Sequence, residues 1–267
     1  MTKDLVVVIM AGGLGTRMNS DLPKVIHKIN GIPMINYIIG NVYELHNQKQ
    51  VKVKKIFIVV GKYKPQIKAE IDEYLQNIQK NTILHNMIEY VHQENPMGTG
   101  HAIQCCVDHL KHYNHSNTLI LSGDVPLFST QSMYHLIHNV DKIKIMVTSI
   151  DKPHGYGRIV MKDQRFDKIV EHNDCNEHEI NITKVNCGIY VVDTETLCKW
   201  VFTIQKNNKK GEYYLTDIVE IIKREENTNV QLYELPSEKR FEVAGVNNME
   251  QLKELETTLQ FEQKRNE

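Results

Sequence analysis

In the first half of the chain, short apolar runs alternate with stretches of helical periodicity, and that alternation limits the possible folds more than any other feature. The runs are 5–10 (LVVVIM), 55–60 (KIFIVV), 88–92 and 118–122 (TLILS). They are apolar rather than strictly alternating and rich in β-branched residues, as expected of strands buried on both faces of a parallel sheet. Helical patterns lie between them at about 33–46, 65–79 and 100–112, with another at 129–140. In the first of these, Met34, Ile35, Ile38, Ile39, Val42 and Leu45 mark one face at 3.6-residue spacing. The pattern predicts βαβ units in a doubly wound sheet, with ligands bound beyond the carboxyl ends of the strands.

From about residue 143 the texture changes. The pieces KIKIMVTSI, GRIVM, FDKIVEH and VNCGIYVV follow one another with turn residues between them, and predict an inserted antiparallel or mixed β-region. Helices are expected near 194–206 and 216–226, two more strands within 230–246, and a charged helix from about Met249. The polar stretch QKNNKKGEYY (205–214) reads as a mobile loop. The expected division is a main domain over 1–248, with halves at about 1–140 and 141–248, and a terminal helix over 249–267.

Composition narrows the function classes. With 267 residues, 41% hydrophobic and 24% charged, the chain reads as an ordinary globular protein with a sizeable core. A net charge of −1 gives no global attraction to nucleic acid or to a membrane surface, and neither is expected as a partner. No apolar run reaches membrane-spanning length and no secretory leader is visible, so a cytoplasmic location is expected. Five cysteines without a C-x-x-C pair fit reduced thiols. His109, His112 and His115 drift from helix into loop without accompanying carboxylates or thiols, and read as a solvated helix end rather than a metal site.

Chemistry concentrates behind the first strand. In MAGGLGTRM, residues 10–18, Gly12, Gly13 and Gly15 free the backbone to turn tightly and to turn its N–H groups toward a phosphate. Neither the P-loop pattern nor G-x-G-x-x-G is present; instead the loop supplies Arg17, with Lys24 shortly after. A nest of amides with two cations suits a triphosphate, although a tight turn flanked by surface cations would read the same way. In LSGDVPL, Asp124 stands just past a buried strand, where a carboxylate can hold Mg²⁺ beside phosphates or simply cap a turn. In QENPMGTGHA, Gln93 can both donate and accept, as the edge of a nucleobase requires.

Taken in order, MAGGLGTRM…LPK, QENPMGTGHA, LSGDVPL, GYGRIV, IVEH, VNCGIY, GEYYLTDI and GVNN resemble the N-acetylglucosamine-1-phosphate uridylyltransferases, also called UDP-N-acetylglucosamine pyrophosphorylases. The likeness is to the amino-terminal half of the bacterial bifunctional enzymes and covers roughly 5–255. It implies an α/β, Rossmann-like nucleotidyltransferase fold with a mostly parallel central sheet and an inserted smaller β-rich sugar-binding region. It implies UTP and N-acetylglucosamine 1-phosphate as substrates and Mg²⁺ as cofactor. By position, Met10, Ala11, Gly12 and Gly13 match the segment holding uracil and phosphates, Arg17 and Lys24 the phosphate cations, and Gln93, Gly98 and Thr99 the uracil-reading positions. Asp124 and Asn247 match the two protein ligands of Mg²⁺. Gly157, Glu171 and Asn186 match contacts to the amino sugar, and Tyr214 and Thr216 the pocket wall near the acetamido group and sugar phosphate.

Two departures stand out: Met10 replaces the family's usual leucine, and Lys209 and Lys210 stand where the family tends to have uncharged residues. A nucleotidyltransferase of another sugar or nucleotide, or a non-catalytic subunit that senses nucleotide sugars, would share part of this pattern. No hexapeptide repeats appear, so a β-helix and the acetyl transfer it supports in the bifunctional enzymes are not expected of these residues. No oligomeric state is legible.

Overall fold

In the computed structural model, which describes residues 3–48, 51–77 and 81–265, the apolar runs become strands of one sheet. The first half contains β1 (Leu5–Met10), the small hairpin β2 (Lys28–Ile29) and β3 (Ile32–Pro33), α1 (Met34–Asn47), β4 (Val53–Val60), α2 (Lys64–Asn77), α3 (Asn81–Met87), β5 (Ile88–His92), α4 (Thr99–Leu110), β6 (Asn117–Ser122) and α5 (Thr130–Ile137). The second contains β7 (Ile143–Ser149), β8 (Arg158–Lys162), β9 (Arg165–Val170), β10 (Lys184–Asp193), α6 (Thr194–Trp200), α7 (Asp217–Glu225), β11 (Gln231–Glu234) and α8 (Met249–Arg265).

The main sheet runs β11-β7-β10-β6-β1-β4-β5. β1 pairs in parallel with both β4 and β6, and β4 with β5, while β10 is antiparallel to its neighbours β6 and β7. The β-rich second half therefore extends the same sheet, and only the β8–β9 hairpin stands off it, held to β10 at Val185. Along β1 the side chains alternate between two cores. Leu5, Val7 and Ile9 meet α1, α2 and α5 on one face, and Val6 and Val8 meet α4, α6 and α7 on the other. Burial on both faces is why the strand is apolar throughout.

Three expectations need amending. Only one strand, β11, forms within 230–246. Pro236 lacks an N–H and starts a run of 3₁₀ turns over Ser237–Val243, in which the buried Glu242 carboxylate accepts from the Ser129 amide (3.2 Å) and hydroxyl (2.8 Å). α3 was not expected; its seven residues, about two turns, bury Leu84 and Met87, too short a stretch to show periodicity. The helix expected over 129–140 stops at Ile137, since Asn139 adopts a left-handed φ of 52°. The end of the helix expected over 65–79, at 78–79, and residues 266–267 of the terminal helix lie outside the described residues.

Candidate active site

The chain proceeds from β1 to β4 and β5 on one side, then returns to place β6 on the other, so a crevice opens at the carboxyl ends of β1 and β6. Met10 and Ser122 face each other on the last rung. Two cavities of about 280 and 370 Å³ meet there, and Met10, Thr99, Ser122 and Asp124 line both.

The smaller cavity is walled by Ala11, Gly12, Gly13, Lys24, Gln93 and Gly98. Gln93 is buried, and its amide is oriented: Nε2 donates to the Gly98 carbonyl at 3.2 Å and lies 3.0 Å from His101 Nδ1. A Cβ on Gly12 would stand 2.9 Å from Gln93 Oε1, so only glycine lets the loop approach this closely. Gly98 has φ 110°, and a Cβ there would meet the Tyr213 carbonyl at 2.5 Å. Thr99 begins α4, bringing the positive end of that helix to the cavity, and its hydroxyl accepts from the Leu215 amide at 3.1 Å.

Charge converges at the junction. Lys24 Nζ lies 2.5 Å from Asp124 Oδ2 and 3.3 Å from Asn247 Oδ1, and Arg17 Nη2 donates to the same Asn247 oxygen at 2.8 Å. Ser122 Oγ donates to Asp124 Oδ1 at 2.6 Å. The backbone ties together the turns that carry Asp124 and Asn247: the Val246 amide donates to the Asp124 carbonyl (2.9 Å), and the Asn247 amide to Gln251 Oε1 on α8 (2.7 Å). A carboxylate and an amide oxygen converging on one cation fit a hard divalent ion, and Mg²⁺ takes only one or two protein ligands beside phosphates. Among the described residues no cluster of three or more His, Cys, Asp or Glu side chains could hold a metal instead. His109 lies 2.7 Å from Glu89, forming an ion pair when protonated.

The larger cavity gathers Gly157, Glu171, Asn186 and Thr216 around Tyr156 and Tyr190. Glu171 Oε1 accepts from the Thr216 hydroxyl at 3.1 Å, and burial pushes its carboxyl above the ordinary range. Asn186 Nδ2 donates to Tyr190 OH at 2.6 Å while its Oδ1 accepts from the Gly188 amide at 3.1 Å. Gly157 passes close to β9; a Cβ there would sit 3.0 Å from Ile169 and 3.6 Å from the Glu171 carboxylate.

Fifteen of the sixteen residues singled out in the sequence line these cavities; Tyr214 lines neither. It is buried beside Thr216, where burial, with Asp174 and Glu171 nearby, pushes its phenol up to about 12. Arg17 opens onto the larger cavity rather than the one shared by Lys24 and the glycine loop. Sequence reasoning passed over Ser122, Tyr190, His154 and Gln251. Ser122 could have been found from its place two residues before Asp124 at a strand end; the others depend on contacts across the fold. The stretch 205–214, read as mobile, is tied at several points: the Tyr213 amide donates to the Met97 carbonyl, the Gly100 amide to the Tyr213 carbonyl, and the Lys209 amide to Asp174.

An α/β sheet with two cavities meeting over a carboxylate and two cations, at a topological switch point, is an arrangement suited to phosphorylated ligands. The chain belongs to the nucleotidyl transferase family, whose model matches residues 6–236. It is similar to an Acanthamoeba polyphaga mimivirus protein named "Probable UDP-N-acetylglucosamine pyrophosphorylase", 38% identical over 258 residues that cover 95% of each chain. It is also similar to the "Bifunctional protein GlmU" of Clostridium botulinum, 35% identical over 257 residues covering 94% of this chain and 51% of that one. The chain thus spans about half the length of this bacterial relative. Among solved structures, a UDP-glucose pyrophosphorylase complexed with UDP-glucose superposes with a TM-score of 0.72 at 17% identity, covering 97% of this chain and 99% of that one. At that identity the likeness shows the fold.

Proposed function

We propose that the chain transfers the uridylyl group of UTP to N-acetylglucosamine 1-phosphate, giving UDP-N-acetylglucosamine and pyrophosphate. The observation that carries this reading is the meeting of two differently built cavities at Asp124. The smaller suits a nucleotide: an oriented buried amide at Gln93, with Gly98 and Thr99, faces a glycine loop, Met10 to Gly13. The larger suits an amino sugar: Gly157, Glu171, Asn186 and Thr216 offer a set of donors and acceptors for hydroxyl and acetamido groups, with Tyr214 supporting the wall. The name of the mimivirus relative supports the same substrate pair. On this reading residues of about 1–140 hold the nucleotide and those of about 141–248 the sugar.

The sugar phosphate is already an anionic nucleophile, so no general base is required. The barrier is repulsion between two polyanions, and positioning with electrostatic stabilisation answers it. Lys24 and Arg17 bring positive charge to the junction, one from each cavity, where attacking and departing phosphates meet. Asp124 and Asn247 would hold Mg²⁺, which when bound neutralises phosphate charge. Glu171 and Asn186 hold the sugar so that its phosphate points toward the junction. The free cysteines and the lack of a membrane-spanning helix among the described residues support a cytoplasmic setting.

The test is pyrophosphate release from UTP and N-acetylglucosamine 1-phosphate with Mg²⁺, which should require all three. Faster turnover with glucose 1-phosphate would move the protein to a neighbouring sugar specificity. Tight nucleotide-sugar binding without turnover would make it a sensor.

A further inference from the structure

The Asp124 carboxylate has two partners of different character. Ser122 is short, sits on the last rung of β6 and reaches Oδ1 at 2.6 Å. Lys24 reaches Oδ2 at 2.5 Å from the end of a flexible stem, with Asn247 Oδ1 3.3 Å from the same ammonium. Its base is confined, because a Cβ on Gly15 would lie 2.9 Å from the Lys24 Cβ, so freedom resides in the outer stem.

We infer that these partners play a fixed and an exchangeable role: the Ser122 hydroxyl positions the carboxylate, and the Lys24 ammonium takes the place of the divalent ion until the phosphates of a nucleotide draw it away. The inference rests on the reading of Asp124 and Asn247 as ion ligands. An ion held by these two oxygens would compete for the volume between them that Lys24 Nζ fills. Two cations cannot share that point, and their repulsion grows where water is partly excluded; the Lys24 and Asp124 side chains are only 15% and 20% exposed. Lys24 faces the smaller cavity, so nucleotide phosphates lie within reach of its stem. As Lys24 moves to them, Oδ2 and the Asn247 oxygen open toward the ion. Ser122 stays throughout, preventing the carboxylate from rotating about its soft terminal torsion. It is a positioning residue, acting through Asp124. The consequence is an ion site that is poor in the free protein and completed by the nucleotide.

The experiment uses Mn²⁺ alone, a hard ion suited to the same oxygen ligands, without nucleotide or sugar, and follows free Mn²⁺ by electron paramagnetic resonance. Wild type should bind weakly, and Lys24→Met at least about ten-fold more tightly, since the competing charge is gone. Lys24→Arg should stay weak. Adding Ser122→Ala to Lys24→Met should abolish the gain, and Ser122→Thr should preserve it. Lys24→Gln serves as a second neutral variant should Lys24→Met prove unstable. If neither neutral variant binds Mn²⁺ better than wild type, Lys24 does not stand in for the ion and the inference fails. Equal affinity with and without the Ser122 hydroxyl removes the positioning role. Tight binding that survives Asp124→Asn in the Lys24→Met background places the ion elsewhere, overturning the ion-site reading and the inference with it.

Discussion

Asp124 is the residue on which most of the proposed chemistry converges, and it is held by side chains rather than by core packing. Asp124→Ala should therefore lower turnover by at least about 10²-fold while leaving the melting temperature nearly unchanged. Asn247→Ala should show a milder loss, since a neutral ligand attracts a cation less. Steady-state rates with a thermal melt on the same samples check both. Asp217, at the start of α7, makes a second case. Burial, with Glu171, Glu220 and Asp174 nearby, pushes its carboxyl up to about 6. A raised acid pKa means that the native state keeps a proton which the unfolded chain has lost. Stability linked to Asp217 is thus fully present below pH 4 and is lost as pH rises through 6. Asp217→Asn should raise stability at pH 7 by about 1–2 kcal/mol, the helix N-terminus offsetting part of the penalty, and should change little at pH 4. Denaturant melts at the two pH values decide it.

At the scale of elements, α8 links core packing to the site. Leu252 and Leu255 pack with Met18, Ile29, Met34 and Val246, while Gln251 on the same helix accepts from the Asn247 amide. Leu255→Ala should cost about 3 kcal/mol, a typical large-to-small loss. It should also weaken the dependence of rate on Mg²⁺ concentration, because Asn247 loses a fixed support. Urea unfolding and a Mg²⁺ titration of activity measure the two effects separately. The helix itself was legible as a charged stretch from about Met249, but the role of Gln251 was not, since its partner is set by a turn and not by periodicity. The 3₁₀ turns at Ser237–Val243 show the opposite failure: residues of strand-like character were recruited by Ser129 and by buried positions for Val243 and Val246.

Across the whole molecule, the proposed reading makes base choice depend on the way two distant loops share one cavity. The glycine loop after β1 lies against Gln93, whose amide is locked by Gly98, leaving limited room and a fixed donor–acceptor edge. UTP should outperform GTP by at least about 10²-fold in kcat/KM, because a purine would leave buried polar groups unpaired. Comparable rates in a direct competition between the two would show the cavity reads no base edge. The sequence by itself determined the strand–helix alternation, the glycine loop and the aspartate at a strand end, because each depends on local periodicity or on a backbone demand that few residue types meet; the residues around the larger cavity were legible only through the family resemblance. Tertiary structure alone decided that β7 and β10 would join the main sheet, that Tyr214 would sit behind the wall, and that Ser122 and Lys24 would hold opposite oxygens of one carboxylate. Those outcomes depend on contacts between residues up to 230 positions apart, such as Arg17 and Asn247, and no local pattern encodes the distance between two side chains that meet only when the sheet is complete.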